Sequence, residues 1–216
     1  RVLFRSLLAT RLRRALALRE RLYGQPFYRL VHAEADGLPG TIIDRFGDAA
    51  VIQPNAAWAE HMIADIADAL REVTGVSTVV LNGQGRARAL EGLDERTEIL
   101  SGALSGPVEV PMNGAIYLAD LAHGQKTGLF YDQRPNHAFG QRLAQGARVL
   151  DVFSHVGGFG LAALAAHTAG LPIALSLASH LLSAGCMGTM ILGMIARVSL
   201  GHSGRALQVG RRITAA

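Results

Sequence analysis

The chain has few of the residues on which covalent cross-links and metal clusters depend. Cys186 is its only cysteine, so an internal disulfide and a CxxC metal site are both excluded. Lys126 is its only lysine, and arginine supplies the rest of the basic charge. This cysteine usage fits a reducing compartment, and the sequence predicts no metal site.

Acidic residues are absent from both ends of the chain, although the net charge of the whole is only +4. Residues 1–6 contain two arginines and residues 171–216 contain four, whereas residues 7–170 are slightly acidic. The positive charge therefore does not by itself indicate a nucleic-acid surface. The first six residues, RVLFRS, resemble the translated end of a sequencing-library adapter, and we interpret them as an artefact. The alternative is a basic helix that continues into the following residues.

Charged residues are also missing from residues 171–196. An uncharged segment of this length can cross a hydrocarbon core of about 30 Å as one helix. We therefore predict one long apolar helix over residues 171–200, in contact with a membrane, with Arg197 and the later arginines on the cytoplasmic side. A buried helix of a soluble protein is the alternative.

The preceding part of the chain has the pattern of an α+β domain over residues 7–121. Residues 7–22 have apolar positions at helical spacing, and two strands are expected to meet at Gly47 and Asp48. Asn55 is the expected N-cap of one amphipathic helix that ends near residue 73.

The rest of this domain has weaker signals. Residues 78–81 predict a strand, and residues 82–106 predict a polar loop in which Arg86 and Arg88 are solvated or contact phosphate. The pair Asn113 and Gly114 predicts a β-hairpin.

Two neighbouring stretches could bind a ligand. Residues 149–160, VLDVFSHVGGFG, predict a strand and a glycine turn that opens a helix, which is typical of a mononucleotide-binding unit. Residues 123–134, HGQKTGLFYDQR, bring a cation, a hydroxyl and a carboxylate into one short segment. A third motif, ADGLPGTIIDRFGD, stands upstream at residues 35–48.

The order of these three motifs resembles the class I S-adenosylmethionine-dependent methyltransferases that act on cytosine C5 of large-subunit ribosomal RNA. The resemblance covers about residues 7–170. It implies an α/β fold in which the α+β domain ends in a β-hairpin and residues 122–170 begin a Rossmann-like domain. It also implies S-adenosylmethionine as cofactor, ribosomal RNA as partner and a cytoplasmic location.

The resemblance assigns cofactor-binding roles to two groups of residues. His155 stands where the family usually has Tyr, so it receives no role. The alternative for the second group is a rigid connection between hairpin and sheet, held either by a pair of Asp132 and Arg134 or by bonds from arginine to the backbone. The first group matches the cofactor motif and consists of Asp151, Phe153, Gly157, Gly158 and Phe159. The second group borders the cofactor pocket and consists of Lys126, Thr127, Asp132, Gln133 and Arg134.

Several features of the family are not found, and we therefore expect an inactive fragment. The RNA-binding PUA domain is not seen before residue 7. The acidic residue that would hold the ribose, the Asp-Pro-Pro type motif and the nucleophilic cysteine are not seen after Gly170. Cys186 lies in the uncharged segment, where a thiol stays protonated, so no catalytic residue is predicted.

Residues 180–205 resemble a segment of the NnrS-type haem and copper membrane proteins. The resemblance implies that His180 and His202 lie near a metal, or that His180 packs between helices. We therefore predict a methyltransferase fragment joined near Gly170 to a membrane-protein fragment. Two other functions stay open, namely a membrane-anchored NnrS-like haem and copper protein, and an RNA-binding module without catalysis.

Overall fold

The structure is a computed structural model that describes residues 2–124, 129–144, 149–152 and 156–167. The chain divides into two compact units, Arg1–Asn136 and His137–Ala216. The described helices are α1 (Val2–Leu22), α2 (Ala57–His61), α3 (Ile63–Thr74), α4 (Arg86–Leu90), α5 (Arg134–Leu143) and α6 (Gly158–His167). The described strands are β1 (Phe27–His32), β2 (Thr41–Phe46), β3 (Ala49–Pro54), β4 (Thr78–Asn82), β5 (Thr97–Ser101), β6 (Val108–Met112) and β7 (Ala115–Ala119). Short 3₁₀ turns cover Ala33–Asp36 and Tyr131–Gln133.

The N-terminal unit is built on a five-stranded sheet in the order β1-β2-β3-β4-β5. Only β3 and β4 pair in parallel, and the segment between them contains α2 and α3, as a parallel crossover requires. The predicted hairpin of β2 and β3 is confirmed, with Gly47 at φ +67° in its turn. Both β3 and β4 are buried along their whole length.

The hydrophobic core lies between this sheet and the pair α1 and α3. Leu8 and Leu12 of α1 and Ile66 and Leu70 of α3 are fully buried. The apolar stripe predicted from Trp58 onward does face this core. Burial of each such side chain stabilises the fold by roughly 1.5 to 3 kcal/mol, so this layer is the main source of the unit's stability.

The single helix predicted after Asn55 is instead two helices, α2 and α3, separated at Met62. Asn55 is not the N-cap, because α2 is preceded by Ala56, which has no side chain that could cap. The carboxylate of Glu91 accepts a hydrogen bond from the Ala57 amide at 3.2 Å and so supplies the missing acceptor from elsewhere in the chain.

Residues 2–6 belong to α1. Phe4 packs edge-on against Trp58, with ring centroids 6.2 Å apart, and Arg5 donates to Asp68 at 2.6 Å. Residues 2–6 are therefore helical, and the interpretation of residues 1–6 as an artefact stays a prediction.

The polar loop predicted over residues 82–106 contains α4 and β5. Strand β5 pairs with β4 at the edge of the sheet, and its first three residues are exposed. Because an exposed edge strand has no apolar alternation of its own, its polar sequence resembles a loop.

The hairpin predicted at Asn113 and Gly114 is confirmed as β6 and β7. Both turn residues have positive φ, at +53° and +78°, which is the geometry of a type I′ turn. The side-chain amide of Asn113 also donates to the carbonyl of Arg134 at 3.0 Å, so the turn is tied to the segment that follows it.

The strand predicted over residues 149–153 is not present at residues 149–152. Leu150 is 73% exposed, and no described strand pairs with this segment. An extended chain without a neighbouring strand leaves its backbone groups to water, so the apolar sequence alone does not make a strand here.

The apolar helix predicted over residues 171–200 lies outside the described residues. Among the residues that are described, no helix combines the length and the apolar character needed to cross a membrane.

Candidate cofactor site

The glycine turn predicted to bind the cofactor opens α6 in the C-terminal unit. Gly157 has φ +74°, a left-handed conformation that costs a residue with a Cβ roughly 1 to 2 kcal/mol. Helix α6 then begins at Gly158, and the predicted helix over residues 158–167 is confirmed. The turn therefore aims the N-terminal end of a ten-residue helix, where anionic groups are favoured, at the space beside it.

Asp151 is held against this turn. Its carboxylate accepts a hydrogen bond from the amide of Gly160 at 2.8 Å. The half-buried carboxylate thus places a negative charge beside Gly160 in the first turn of α6, an arrangement that suits an ammonium group on a small ligand. These residues fit the amino-acid end of S-adenosylmethionine.

Gly158 is required for a different reason, which is close packing. A Cβ at this position would lie 2.2 Å from Cε1 of His137, a buried histidine of α5. The His137 ring also meets Phe159 edge-on, with centroids 4.6 Å apart. Sequence reasoning missed His137, because nothing local in RPNHAFG shows that its ring packs on the glycine turn.

Phe159 is 39% exposed and forms part of an apolar groove of about 310 Å³. The groove has no charged residue in its lining, and Leu143, Val149 and Leu150 complete most of it. The structure thus brings Asp151, Gly157, Gly158 and Phe159 together within one unit. Phe153 and His155 lie outside the described residues.

The second predicted group belongs to the N-terminal unit. Asp132 is exposed and accepts from the side-chain amide of Gln133 at 3.4 Å. Arg134 donates to the carbonyl of Phe27 at 2.9 Å and lies over the ring of Tyr23, 4.8 Å from its centroid. These contacts match the arginine-to-backbone form of the structural alternative, and the described residues show no ion pair between Asp132 and Arg134. Lys126 and Thr127 lie outside the described residues.

An ion pair that the sequence reasoning missed lies close to this connection. Asp44 of β2 is fully buried, and Arg29 of β1 donates to its two oxygens at 2.9 and 3.2 Å. Burial would lower the Arg29 pKa, but the hydrogen bonds and charge of Asp44 outweigh it and the pKa is raised. The one local signal is an acid within the apolar strand sequence TIID, since a buried acid needs a cation.

Tyr131 also attaches the segment around Asp132, Gln133 and Arg134 to the five-stranded sheet. Its ring packs on Phe46 with centroids 5.1 Å apart, and its hydroxyl donates to the carbonyl of Arg45 at 2.9 Å. Burial raises the Tyr131 pKa well above its ordinary value, so the hydroxyl stays protonated and remains a donor. The DQR segment is therefore fixed by the residues on both sides of it.

Arg88 is neither solvated nor available to phosphate, which overturns both expectations for it. Its side chain is 1% exposed and donates to Glu60 at 2.8 Å and to the carbonyls of Pro54 and Asp94. Arg86, two residues earlier, is exposed as expected. Within the described ranges, no group of three or more His, Cys, Asp or Glu residues could hold a metal; His180, Cys186 and His202 fall outside them.

The fold and the glycine turn define the class of the chain, a mixed α/β protein of the type found in S-adenosylmethionine-dependent methyltransferases. A candidate methyltransferase of this kind from Streptococcus mutans superposes with a TM-score of 0.64 at 21% identity, over 76% of this chain and 43% of that one. SMU.776, a candidate methyltransferase complexed with SAH, gives a TM-score of 0.65 at 22% identity, over 83% of this chain and 48% of that one. These two structures show the fold.

The amino-acid sequence is similar to those of ribosomal RNA methyltransferases. Ribosomal RNA large subunit methyltransferase I of Vibrio vulnificus is 38% identical over 164 residues, which are 74% of this chain and 41% of that protein. The protein of the same name from Aeromonas hydrophila is 40% identical over 139 residues, which are 63% of this chain and 35% of that protein. The chain thus spans well under half the length of these relatives.

A second family matches the later part of the chain. The model of the NnrS protein family matches residues 76–216. The chain therefore belongs to the NnrS family over residues 76–216, and its similarity to the relatives above supports the methyltransferase family for the part aligned with them. We expected the NnrS similarity to begin near residue 171, but it begins at residue 76. The two similarities therefore share residues, and no clean boundary separates them near Gly170.

Proposed function

We propose that this chain contains a fragment of an S-adenosylmethionine-dependent methyltransferase that acts on cytosine C5 of large-subunit ribosomal RNA. The observation that carries the proposal is the 38% identity over 164 residues to a ribosomal RNA large subunit methyltransferase I. An rRNA substrate places the protein in the cytoplasm.

The cofactor-binding part of the proposal rests on the glycine turn. Asp151, Phe153, Gly157, Gly158 and Phe159 would hold the amino-acid end of S-adenosylmethionine. When bound, this cofactor supplies an activated methyl group. The chain's own residues supply a carboxylate for the ligand's ammonium group and a helix N-terminus for its carboxylate.

The residues around the DQR segment have a supporting role in this proposal. Lys126, Thr127, Asp132, Gln133 and Arg134 would border the pocket. The contacts of Arg134 with Phe27 and Tyr23 favour a positioning role for it over direct contact with the cofactor.

We also propose that this chain alone does not catalyse methyl transfer. Residues 171–216 contain no acid that could hold the ribose and no activated cysteine. A lost charged hydrogen bond weakens binding by roughly 1.5 to 3 kcal/mol, or about 10-fold to 100-fold for each bond. Binding of the cofactor should therefore be weak.

Calorimetry of the full chain with S-adenosylhomocysteine tests both parts. We expect weak binding that is lost in Asp151→Asn, because the amide can still accept from Gly160 but no longer offers a charge. Equal binding by Asp151→Asn would argue against the assigned role of the carboxylate, and micromolar binding by the wild-type chain would contradict the proposed deficit.

The second candidate is a membrane-anchored NnrS-like haem and copper protein, favoured by the family match over residues 76–216. It predicts that the chain stays with membranes after carbonate extraction and co-purifies with haem or copper. A soluble, metal-free chain that binds S-adenosylhomocysteine would exclude this candidate.

A further inference from the structure

The arginines of α1 fall into two sets. In the first set, each arginine meets a carboxylate of a neighbouring element. Arg5 bonds to Asp68 at 2.6 Å and Arg13 to Glu72 at 2.9 Å, both on α3. Arg19 holds both oxygens of Asp36 at 2.6 Å. These three charges are neutralised within the fold.

The second set consists of Arg11, Arg14 and Arg21. All three are exposed, and none forms an ion pair with any residue that the structure describes. They line a groove of about 710 Å³ between α1 and the turn at residues 34–37. We call this the α1 groove.

The remaining charges of the α1 groove do not cancel these arginines. Asp36 is already paired with Arg19, which leaves the carboxylate of Glu34 against three guanidinium groups. Hydrogen bonds from the backbone amides of Glu34 itself and of Gly40 lower the Glu34 pKa, so this single acid stays charged at neutral pH. The groove is electropositive.

The position of Arg11 is set by the turn opposite it. Gly37 has φ +74°, and a Cβ there would overlap Nη1 of Arg11 at 1.7 Å. The guanidinium therefore lies directly over the glycine backbone. A turn residue of any other type would displace it from the groove.

We propose that the α1 groove binds the phosphodiester backbone of an RNA strand. The proposal rests on the proposed function, because it identifies where the rRNA substrate is held outside the cofactor site. Arg11, Arg14 and Arg21 extend over about 15 Å along the helix, a length that admits more than one phosphate. Guanidinium groups bind phosphate oxygens in a two-pronged geometry, and such contacts position a nucleic acid without reading its sequence.

A protein partner fits the α1 groove less well. Leu7 and Leu18 are half exposed in it, but they alternate with the arginines and form no continuous apolar patch. The centre of a protein interface is apolar and depleted in charge. Three unpaired arginines along one face of the helix instead match a polyanion.

The test compares two double variants with the same change in net charge. Arg11→Gln/Arg14→Gln removes two groove charges, and the control Arg5→Gln/Arg13→Gln removes two paired charges from the same helix. Full-length chains in nonionic detergent are titrated with a short fluorescent single-stranded RNA at about 50 to 200 mM salt, the range over which phosphate contacts weaken steeply. Urea unfolding followed by Trp58 fluorescence checks that both variants fold.

We expect the groove variant to bind roughly 10-fold to 30-fold more weakly near 100 mM salt. Its logarithmic salt dependence should also be smaller by about 1.4, because each phosphate contact on a single strand contributes about 0.7. The control should stay within about 2-fold of wild type. Arg11→Lys/Arg14→Lys should recover most of the salt dependence, since it keeps the charge.

Equal losses in the two double variants would show a general charge effect and overturn the proposal, as would unchanged binding by the groove variant. Polyglutamate that displaces the RNA at equal charge concentration would identify a surface for acidic proteins and overturn it too. Calorimetry with S-adenosylhomocysteine on the same samples separates the two proposals. Groove-dependent RNA binding together with cofactor binding that Asp151→Asn leaves unchanged keeps this inference standing and overturns the proposed cofactor site, and the reverse result does the opposite.

Discussion

Arg88 shows what a single residue's type does not reveal. In the sequence it stands in GQGRARALEG, which resembles a solvated loop, yet it is among the largest fully buried side chains of the residues that the structure describes. Its main partner, Glu60, is 28 residues away, and Arg96 also bonds to Glu60 at 2.8 Å. Burial of an arginine depends on partners that the fold supplies, and no local pattern contains that information.

Replacing Arg88 by Ala should destabilise the N-terminal unit by about 3 kcal/mol. The change leaves two carbonyls and part of the Glu60 carboxylate without donors in a buried place. Urea unfolding followed by the single tryptophan, Trp58, measures the loss directly. Arg86→Ala is the matched control, because Arg86 is exposed and should change the free energy of unfolding by about 0.5 kcal/mol or less. Similar effects of the two changes would show that Arg88 has no special structural role.

Gly158→Ala should disturb the glycine turn through one identified contact. The added methyl group would lie 2.2 Å from Cε1 of His137, so the ring must move or α6 must shift. Hydrogen exchange of the α6 amides should therefore become faster in Gly158→Ala. The double variant His137→Ala/Gly158→Ala should restore slower exchange, because the smaller side chain makes room. If the second change brings no recovery, the clash with His137 is not the reason for the glycine.

Among the helices, strands and turns, the sequence predicted correctly those features that depend only on neighbouring residues in the chain. The turns at Gly47 and at Asn113 and Gly114 require positive φ, which the sequence shows directly. The break at Met62, the edge strand β5 and the missing strand at residues 149–152 depend on neighbours in space, so periodicity could not reveal them. The cofactor turn followed the same rule, since its glycines and helix were predictable and its packing on His137 was not.

The link between the β2–β3 turn and β4 should make stability depend on pH. The side chain of Asp48 accepts hydrogen bonds from both the hydroxyl and the amide of Ser77, and these bonds lower the Asp48 pKa. A folded pKa below the ordinary value of 3.8 means that the stabilisation is present above pH 3.8 and is lost as the pH falls through the folded pKa. Unfolding of Asp48→Asn, measured against pH, should show a shallower loss of stability in acid than the wild-type chain. Parallel curves would exclude this contribution, and its size is small because the carboxylate is exposed.

For the whole molecule, the division after Asn136 predicts that residues 1–136 fold without the rest of the chain. Their core between the sheet and the pair α1 and α3 lies entirely within this unit. A shorter chain of residues 7–136 should also unfold cooperatively, but it loses the packing of Phe4 on Trp58 and should be less stable by roughly 1 to 2 kcal/mol. Urea unfolding of the two chains measures the difference. Equal stability would favour the interpretation of residues 1–6 as an addition without a structural role.

Residues 171–216 should control the solubility of the whole chain. Residues 171–196 contain no charged side chain, so a helix formed by them has no polar face to present to water. In the described part of the C-terminal unit, Leu143, Leu150 and Phe139 are already exposed to solvent. This unit therefore has apolar surface of its own that is not buried, and it cannot bury an additional apolar helix. We therefore expect the full chain to aggregate in plain buffer and to enter detergent micelles, whereas a chain that ends at residue 170 stays in solution. Sedimentation of both chains with and without detergent measures the difference, and the unchanged fluorescence of Trp58 shows that the N-terminal unit is folded in each. A full-length chain that remains monomeric without detergent would refute the apolar-helix prediction and, with it, the membrane-anchored alternative.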